Sequence, residues 1–100
     1  MVVCNTTISI DVAIKQEWIG WMKNSYIPLI LETGNFIDVK LLKIHSTEDE
    51  GGSSYALMMW CKDMNNYTDF EKQYSRQLDG LHNTKFGGRF ASFRTLLEEA

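Results

Sequence analysis

One hundred residues at 11.5 kDa supply one hydrophobic core, and a composition of 44% hydrophobic and 23% charged residues excludes a disordered chain or a fibrous repeat. Ten Lys and Arg against thirteen Asp and Glu leave a formal charge of −3 and a pI near 5.3, which argues against a life on nucleic acid or anionic lipid, where the phosphate term needs a basic face. Two cysteines are too few for a disulfide scaffold, no apolar run approaches the roughly 18 residues of a membrane span, and the first residues lack the basic and small-residue features of a signal peptide. The expectation is one soluble cytoplasmic domain over residues 1–100.

Residues Val2 to Ile10 are β-branched at most positions, with Cys4, Thr6, Ile8 and Ile10 on one face, and predict a strand. Asp11 stands at the N-cap position of a helix whose apolar stripe is Ile14, Trp18, Met22 and, one place off, Trp21. Pro28 cannot donate to the carbonyl four residues back, so the helix is expected to kink or restart there and to end at Gly34. Phe36 to His45 predicts a second strand, and Glu48-Asp49-Glu50 with Gly51-Gly52 a solvated hairpin loop.

Ser54 to Cys61 predicts a third strand that is apolar on both faces. Asp63 caps a second helix carrying Tyr67, Phe70, Tyr74, Leu78 and Leu81 at three-and-four spacing, and Gly87-Gly88 turns into a last strand, Arg89 to Leu97. The order βαββαβ is that of the α+β, ferredoxin-like plait: a four-stranded antiparallel sheet in spatial order 4-1-3-2 with two helices on one face. A third strand apolar on both sides implies that the bare face is covered, and a second copy of the chain is the economical cover. A homodimer of the dimeric α/β-barrel kind is therefore expected.

Several segments carry a resemblance: Val3-Cys4-Asn5-Thr6-Thr7, Glu17-Trp18-Ile19-Gly20-Trp21-Met22-Lys23, Ile27-Pro28 through Thr33-Gly34-Asn35-Phe36, and the ending Phe86-Gly87-Gly88-Arg89-Phe90-Ala91-Ser92-Phe93-Arg94-Thr95-Leu96-Leu97-Glu98. Together they resemble a family of small bacterial proteins known as domain of unknown function 4286. The resemblance implies a cytoplasmic plait of this length and brings no established activity. Where the family commonly has a histidine before Ile-Pro, this chain has Tyr26, so a mechanism needing an imidazole there has none. A more distant likeness is to dimeric α/β-barrel proteins, among them cofactor-free monooxygenases, isomerases and stress-response proteins. That analogy concerns fold and decides no function.

His82, near the end of the second helix, reads either as a general base or as a cap on the helix C-terminus or a loop carbonyl, and the structural reading is favoured. His45 sits beside a solvated loop. The histidines lack metal-ligand spacing and no Cys-x-x-Cys pair supports them, so no metal is expected, and no phosphate loop, nucleophile elbow or paired-carboxylate pattern implies a cofactor.

Arg94 stands in a strand among Phe93, Leu96 and Leu97, so its guanidinium needs a partner: either a carboxylate or enolate ligand in a pocket, or an acidic side chain in a structural salt bridge, the favoured reading. Asn5 and Thr7 share one face of the first strand and would line the same pocket as Arg94 if the strand parities match. Trp18, Trp21, Met22 and Tyr26 read either as an aromatic wall over a hydrophobic ligand or, the favoured reading, as a core stripe, with Trp18 the better core candidate and Trp21 and Tyr26 the better candidates to edge a cleft. Lys85 to Phe93 resembles the glycine-aromatic run of an RNA-recognition motif, but it falls on the fourth strand rather than the third and the net charge is negative.

Two functions are therefore open: a small-molecule- or partner-binding homodimer, or a cofactor-independent enzyme on a small enolisable or aromatic substrate. In the second, Arg94 would hold the anion and Tyr26 or His82 would move protons.

Overall fold

The structure, a computed structural model, describes residues 1–45 and 52–100. The expected hairpin loop at Glu48-Asp49-Glu50-Gly51 lies outside the described residues. Strand β1 runs over Val2–Asp11, β2 over Asp38–Lys43, β3 over Gly52–Cys61 and β4 over Phe90–Glu98; helix α1 occupies residues 12–32 and α2 residues 64–86. The sheet is antiparallel throughout, in the order β2-β3-β1-β4. This is the ferredoxin-like plait expected from the element order.

β2 is shorter than the Phe36–His45 run suggested, although single bonds from Ile37 N–H to the Trp60 carbonyl and from Ile44 N–H to the Ser54 carbonyl carry the pairing just past each end. Phe36 turns out of the ladder into the core, where its ring meets Phe70 edge-on at 4.7 Å.

Both helices start as the sequence suggests. The Asp11 carboxylate accepts from Ala13 N–H and the Asp63 carboxylate from Asn66 N–H. Each helix then contains one π turn, at Met22–Tyr26 and at Glu71–Ser75. In α1 the wide turn falls just before Pro28, with Ile27 N–H bonded to the Met22 carbonyl. The backbone widens where a proline has removed a donor, so the interruption precedes the proline instead of kinking the helix at it. Gly34 follows the helix end with φ of 79°.

The π turn in α2 has a larger consequence. One extra residue in a turn rotates everything downstream by one position, so the buried stripe runs Phe70, Ser75, Leu78, His82, Phe86. Leu81, which regular spacing puts in the core, is 43% exposed, and His82 takes the inward place. At the far end a Cβ on Gly87 would lie 2.5 Å from the Asn83 carbonyl, and Gly88 has φ of 82°, so the glycine pair makes the exit into β4 possible.

The register decides which side chains share a face. Cys4, Thr6 and Ile8 stand opposite Met59, Leu57 and Tyr55 on one side and Leu96, Arg94 and Ser92 on the other, and form the face under the helices. Val3, Asn5 and Thr7 share the other face with Trp60, Met58 and Ala56 and with Leu97, Thr95 and Phe93. The core lies wholly on the helix side, built on Trp18, Met22, Ile8, Ile10, Leu57 and Met59. Cys4 and Cys61 are free and buried there, and burial pushes both thiols up from their ordinary range. Among the described residues no helix is long and apolar enough to cross a membrane.

Candidate functional site

Between the sheet and the two helices lies a cavity of about 370 Å³. Ile8 of β1, Leu57 and Met59 of β3, and Ile30, Phe70 and Leu78 of the helices give it apolar lining, with Thr6 of β1 beside them. Its polar lining is Ser92 and Arg94 from β4, Asp79, His82 and Asn83 from α2, and Tyr26 from α1. Period-two alternation along β4 aims Ser92 and Arg94 inward together, and four-residue spacing brings Asp79 and Asn83 onto one side of α2.

Arg94 holds the mouth of this cavity with its side chain 30% exposed. Its Nη1 donates to Glu71 Oε2 at 3.1 Å and to Ser75 Oγ at 3.2 Å, and its Nη2 donates to Asp79 Oδ1 at 3.4 Å. The Tyr67 hydroxyl donates to the same Glu71 oxygen at 2.9 Å. The guanidinium is thus held by carboxylates of its own chain, from α2. Three of its five N–H donors are engaged in structural pairing, and its charge is compensated before any ligand arrives.

His82 is buried on an aromatic shelf. Its ring stacks on Phe90 at 3.9 Å between centroids and lies parallel to Trp21 at 5.9 Å. Trp18 Nε1 donates to His82 Nε2 at 2.9 Å, a bond between two buried groups. An indole N–H is only ever a donor, so Nε2 must be the unprotonated nitrogen and the neutral ring carries its proton on Nδ1. Burial lowers the histidine from its ordinary 6.5 to about 4, so the imidazole is neutral at physiological pH. Tyr26 is buried as well; burial, with the Asp79 carboxylate adding to it, pushes its hydroxyl well above the ordinary tyrosine range.

The structure therefore brings three of the five residues singled out from sequence, Tyr26, His82 and Arg94, onto one cavity. Trp21 packs behind it against Tyr26, His82 and Phe86 and does not line it. Asn5 is on the opposite side of the sheet: it pairs with Thr95, while Arg94 pairs with Thr6, so the two side chains point to different faces. There Asn5 Nδ2 donates to Thr7 Oγ1 at 3.4 Å, and its buried Oδ1 has no partner among the described residues.

Asp79, Ser92 and Asn83 were not singled out from sequence. The one available signal was the spacing of Glu71, Ser75 and Asp79 by four residues along an otherwise apolar-striped helix. Among the described residues no group of three or more His, Cys, Asp or Glu side chains is placed to hold a metal.

The chain resembles several solved structures in fold. HapK from Hahella chejuensis superposes with a TM-score of 0.73 at 14% identity, covering 100% of this chain and 93% of its own. An ethyl tert-butyl ether d (EthD) family protein from Bacillus halodurans gives 0.67 at 17% identity over 100% of both chains. A dimeric ferredoxin-like protein from an uncultured marine organism gives 0.64 at 8% identity, covering 99% of this chain and 97% of that one. At such identities the likeness is one of fold alone. No curated protein matches the chain in sequence. The whole of the sequence, residues 1–100, matches the domain of unknown function DUF4286, and the chain belongs to that family.

Proposed function

We propose that this protein is a homodimeric small-molecule-binding domain whose ligand occupies the cavity between sheet and helices. The observation that carries this reading is the cavity itself: about 370 Å³ of space lined largely by apolar side chains, with hydroxyl, amide, carboxylate and imidazole groups contributed by β4 and both helices. That size and that mixture are those of a small-ligand pocket. Binding fits the site better than proton transfer, because His82 Nε2, the lone pair a base would use, is engaged by Trp18.

The dimer would form through the open sheet face. Phe93 is 64% exposed there, Leu42 and Leu97 are exposed elsewhere on the same face, and the buried Asn5 Oδ1 lacks a donor among the described residues that a second copy could supply. Two solved proteins of similar fold are described as dimeric ferredoxin-like proteins.

Titration of ¹⁵N-labelled protein with a panel of water-soluble aromatic compounds tests the cavity. Binders should shift the amides of Ile8, Ser92 and Asn83 together, and Ser92→Phe, which fills the cavity, should abolish the shifts without unfolding the chain. A panel that leaves those amides unmoved, or shifts that survive Ser92→Phe, would refute the reading.

The alternative, a cofactor-independent enzyme on an enolisable or aromatic substrate, is favoured by the convergence of Tyr26, His82 and Arg94 on one cavity. It needs Trp18 to release His82 on substrate binding. Turnover of any compound that shifts the cavity amides, lost in His82→Gln, would establish it over simple binding.

A further inference from the structure

Two hydrogen-bond donors border the cavity without a partner. The Tyr26 hydroxyl makes no hydrogen bond among the described residues, and neither does His82 Nδ1, which carries the imidazole proton because Nε2 accepts from Trp18. The two rings are neighbours, with centroids 5.7 Å apart, and both residues line the cavity. Among the described residues, the side-chain polar atoms that are both sealed and unbonded are Asn5 Oδ1 and Asn35 Oδ1. The Tyr26 hydroxyl and His82 Nδ1 are therefore open, although their residues are only 6% and 7% exposed, and the cavity is the hollow they share.

Both donors are neutral. Burial holds the Tyr26 hydroxyl well above the ordinary tyrosine range and keeps the His82 imidazole uncharged, so each has its proton to give at physiological pH. The charged lining groups, Arg94 and Asp79, are one of each sign and favour neither an anion nor a cation. Phe70, Phe90 and Phe93 border the same space and suit a flat ring. A carbonyl oxygen has two lone pairs and no proton, and can accept from both donors at once. A purely apolar ligand would displace water from the pair and leave both donors unmatched.

We propose that the cavity takes neutral aryl carbonyl compounds, with the ring against the aromatic lining and the carbonyl oxygen accepting from the Tyr26 hydroxyl and His82 Nδ1–H. This rests on the reading of the cavity as a ligand site and names the ligand class.

The test is a titration of the full chain with acetophenone and with α-methylstyrene, which has the same shape but a CH₂ group in place of the carbonyl oxygen. Each is followed by the amide shifts of Ile8, Ser92 and Asn83. Water solvates the ketone better than the hydrocarbon, so the informative quantity is what each loses in Tyr26→Phe, not their direct ratio. That change removes a hydroxyl bonded to nothing among the described residues and is expected to leave the fold intact. It should weaken acetophenone about three- to tenfold and leave α-methylstyrene within about twofold. With ¹³C in its carbonyl, acetophenone bound to the native protein should resonate at least as far downfield as in water, the mark of a hydrogen-bonded carbonyl. This second readout does not depend on the variant.

An acetophenone affinity unchanged by Tyr26→Phe, equal losses for the two compounds, binding of the hydrocarbon alone, or a bound carbonyl resonance as far upfield as in a hydrocarbon solvent would overturn the carbonyl assignment while leaving the cavity as a site. Neither compound shifting the Ile8, Ser92 and Asn83 amides would remove the cavity reading and this inference with it.

Discussion

Trp18 Nε1 lies 2.9 Å from His82 Nε2, a hydrogen bond that joins the middle of α1 to the end of α2 across 64 positions of sequence. It fixes the histidine's tautomer, ties the two helices together over the cavity and satisfies two polar atoms that would otherwise be buried alone. Trp18→Phe removes the donor and leaves Nε2 unpaired, and is expected to cost about 1–3 kcal/mol in urea unfolding. Adding His82→Phe should cost less than the two single changes together, because the orphaned acceptor is then gone as well. Strict additivity would mean that the bond contributes nothing beyond packing.

The same histidine sets an acid limb of stability. The unfolded chain takes up the proton near the ordinary 6.5, the folded chain only near 4, so between these values the unfolded state binds more protons. Stability is therefore full above about pH 6.5, falls as the pH drops towards 4 and levels off below, a loss on the order of 3 kcal/mol. The N-cap carboxylates Asp11 and Asp63, held below their ordinary 3.8 chiefly by backbone N–H donors, add their own loss only at lower pH. His82→Gln retains an acceptor for Trp18 and should flatten the limb between 6.5 and 4. A limb of undiminished slope in that variant would assign it to other groups.

Arg94 bridges β4 to α2 through Glu71, Ser75 and Asp79. The network sits at a partly solvated cavity mouth, so Arg94→Gln should cost only about 1 kcal/mol. Glu71→Gln should then be less harmful in the Arg94→Gln background than in the native chain, a coupling that a double-mutant cycle in urea reads directly. Equal costs in both backgrounds would show the ion pair to be energetically idle.

Phe93 stands on the open face, opposite Thr7 and 64% exposed. Light scattering is expected to give twice the 11.5 kDa chain mass for the native protein and the single-chain mass for Phe93→Asp, with the circular dichroism of the two unchanged. A native monomer would leave the open face for another kind of partner.

The plait was legible because its signals are local. Period-two runs, the Asp11 and Asp63 caps, and the glycine pair before β4 each specify one element through interactions a few residues long. Burial of Leu81 was misjudged because a π turn at Glu71–Ser75 leaves no mark on the hydrophobic pattern. That one added residue turned His82 inward, and with it came the tautomer, the low affinity for a proton and the bond to Trp18.

By itself the amino-acid order determined which elements form, their sequence along the chain and hence the antiparallel sheet with a face to cover. It also marked Tyr26, His82 and Arg94 as chemically unusual in their surroundings. Only the tertiary structure decided that these three share a cavity, that Arg94 is already paired with carboxylates of α2, and that Asn5 lies on the other side of the sheet. The physical reason is that alternation fixes which residues of one strand share a face, whereas the parity between strands depends on register. A shift of one residue between β1 and β4 would have put Asn5 and Arg94 side by side.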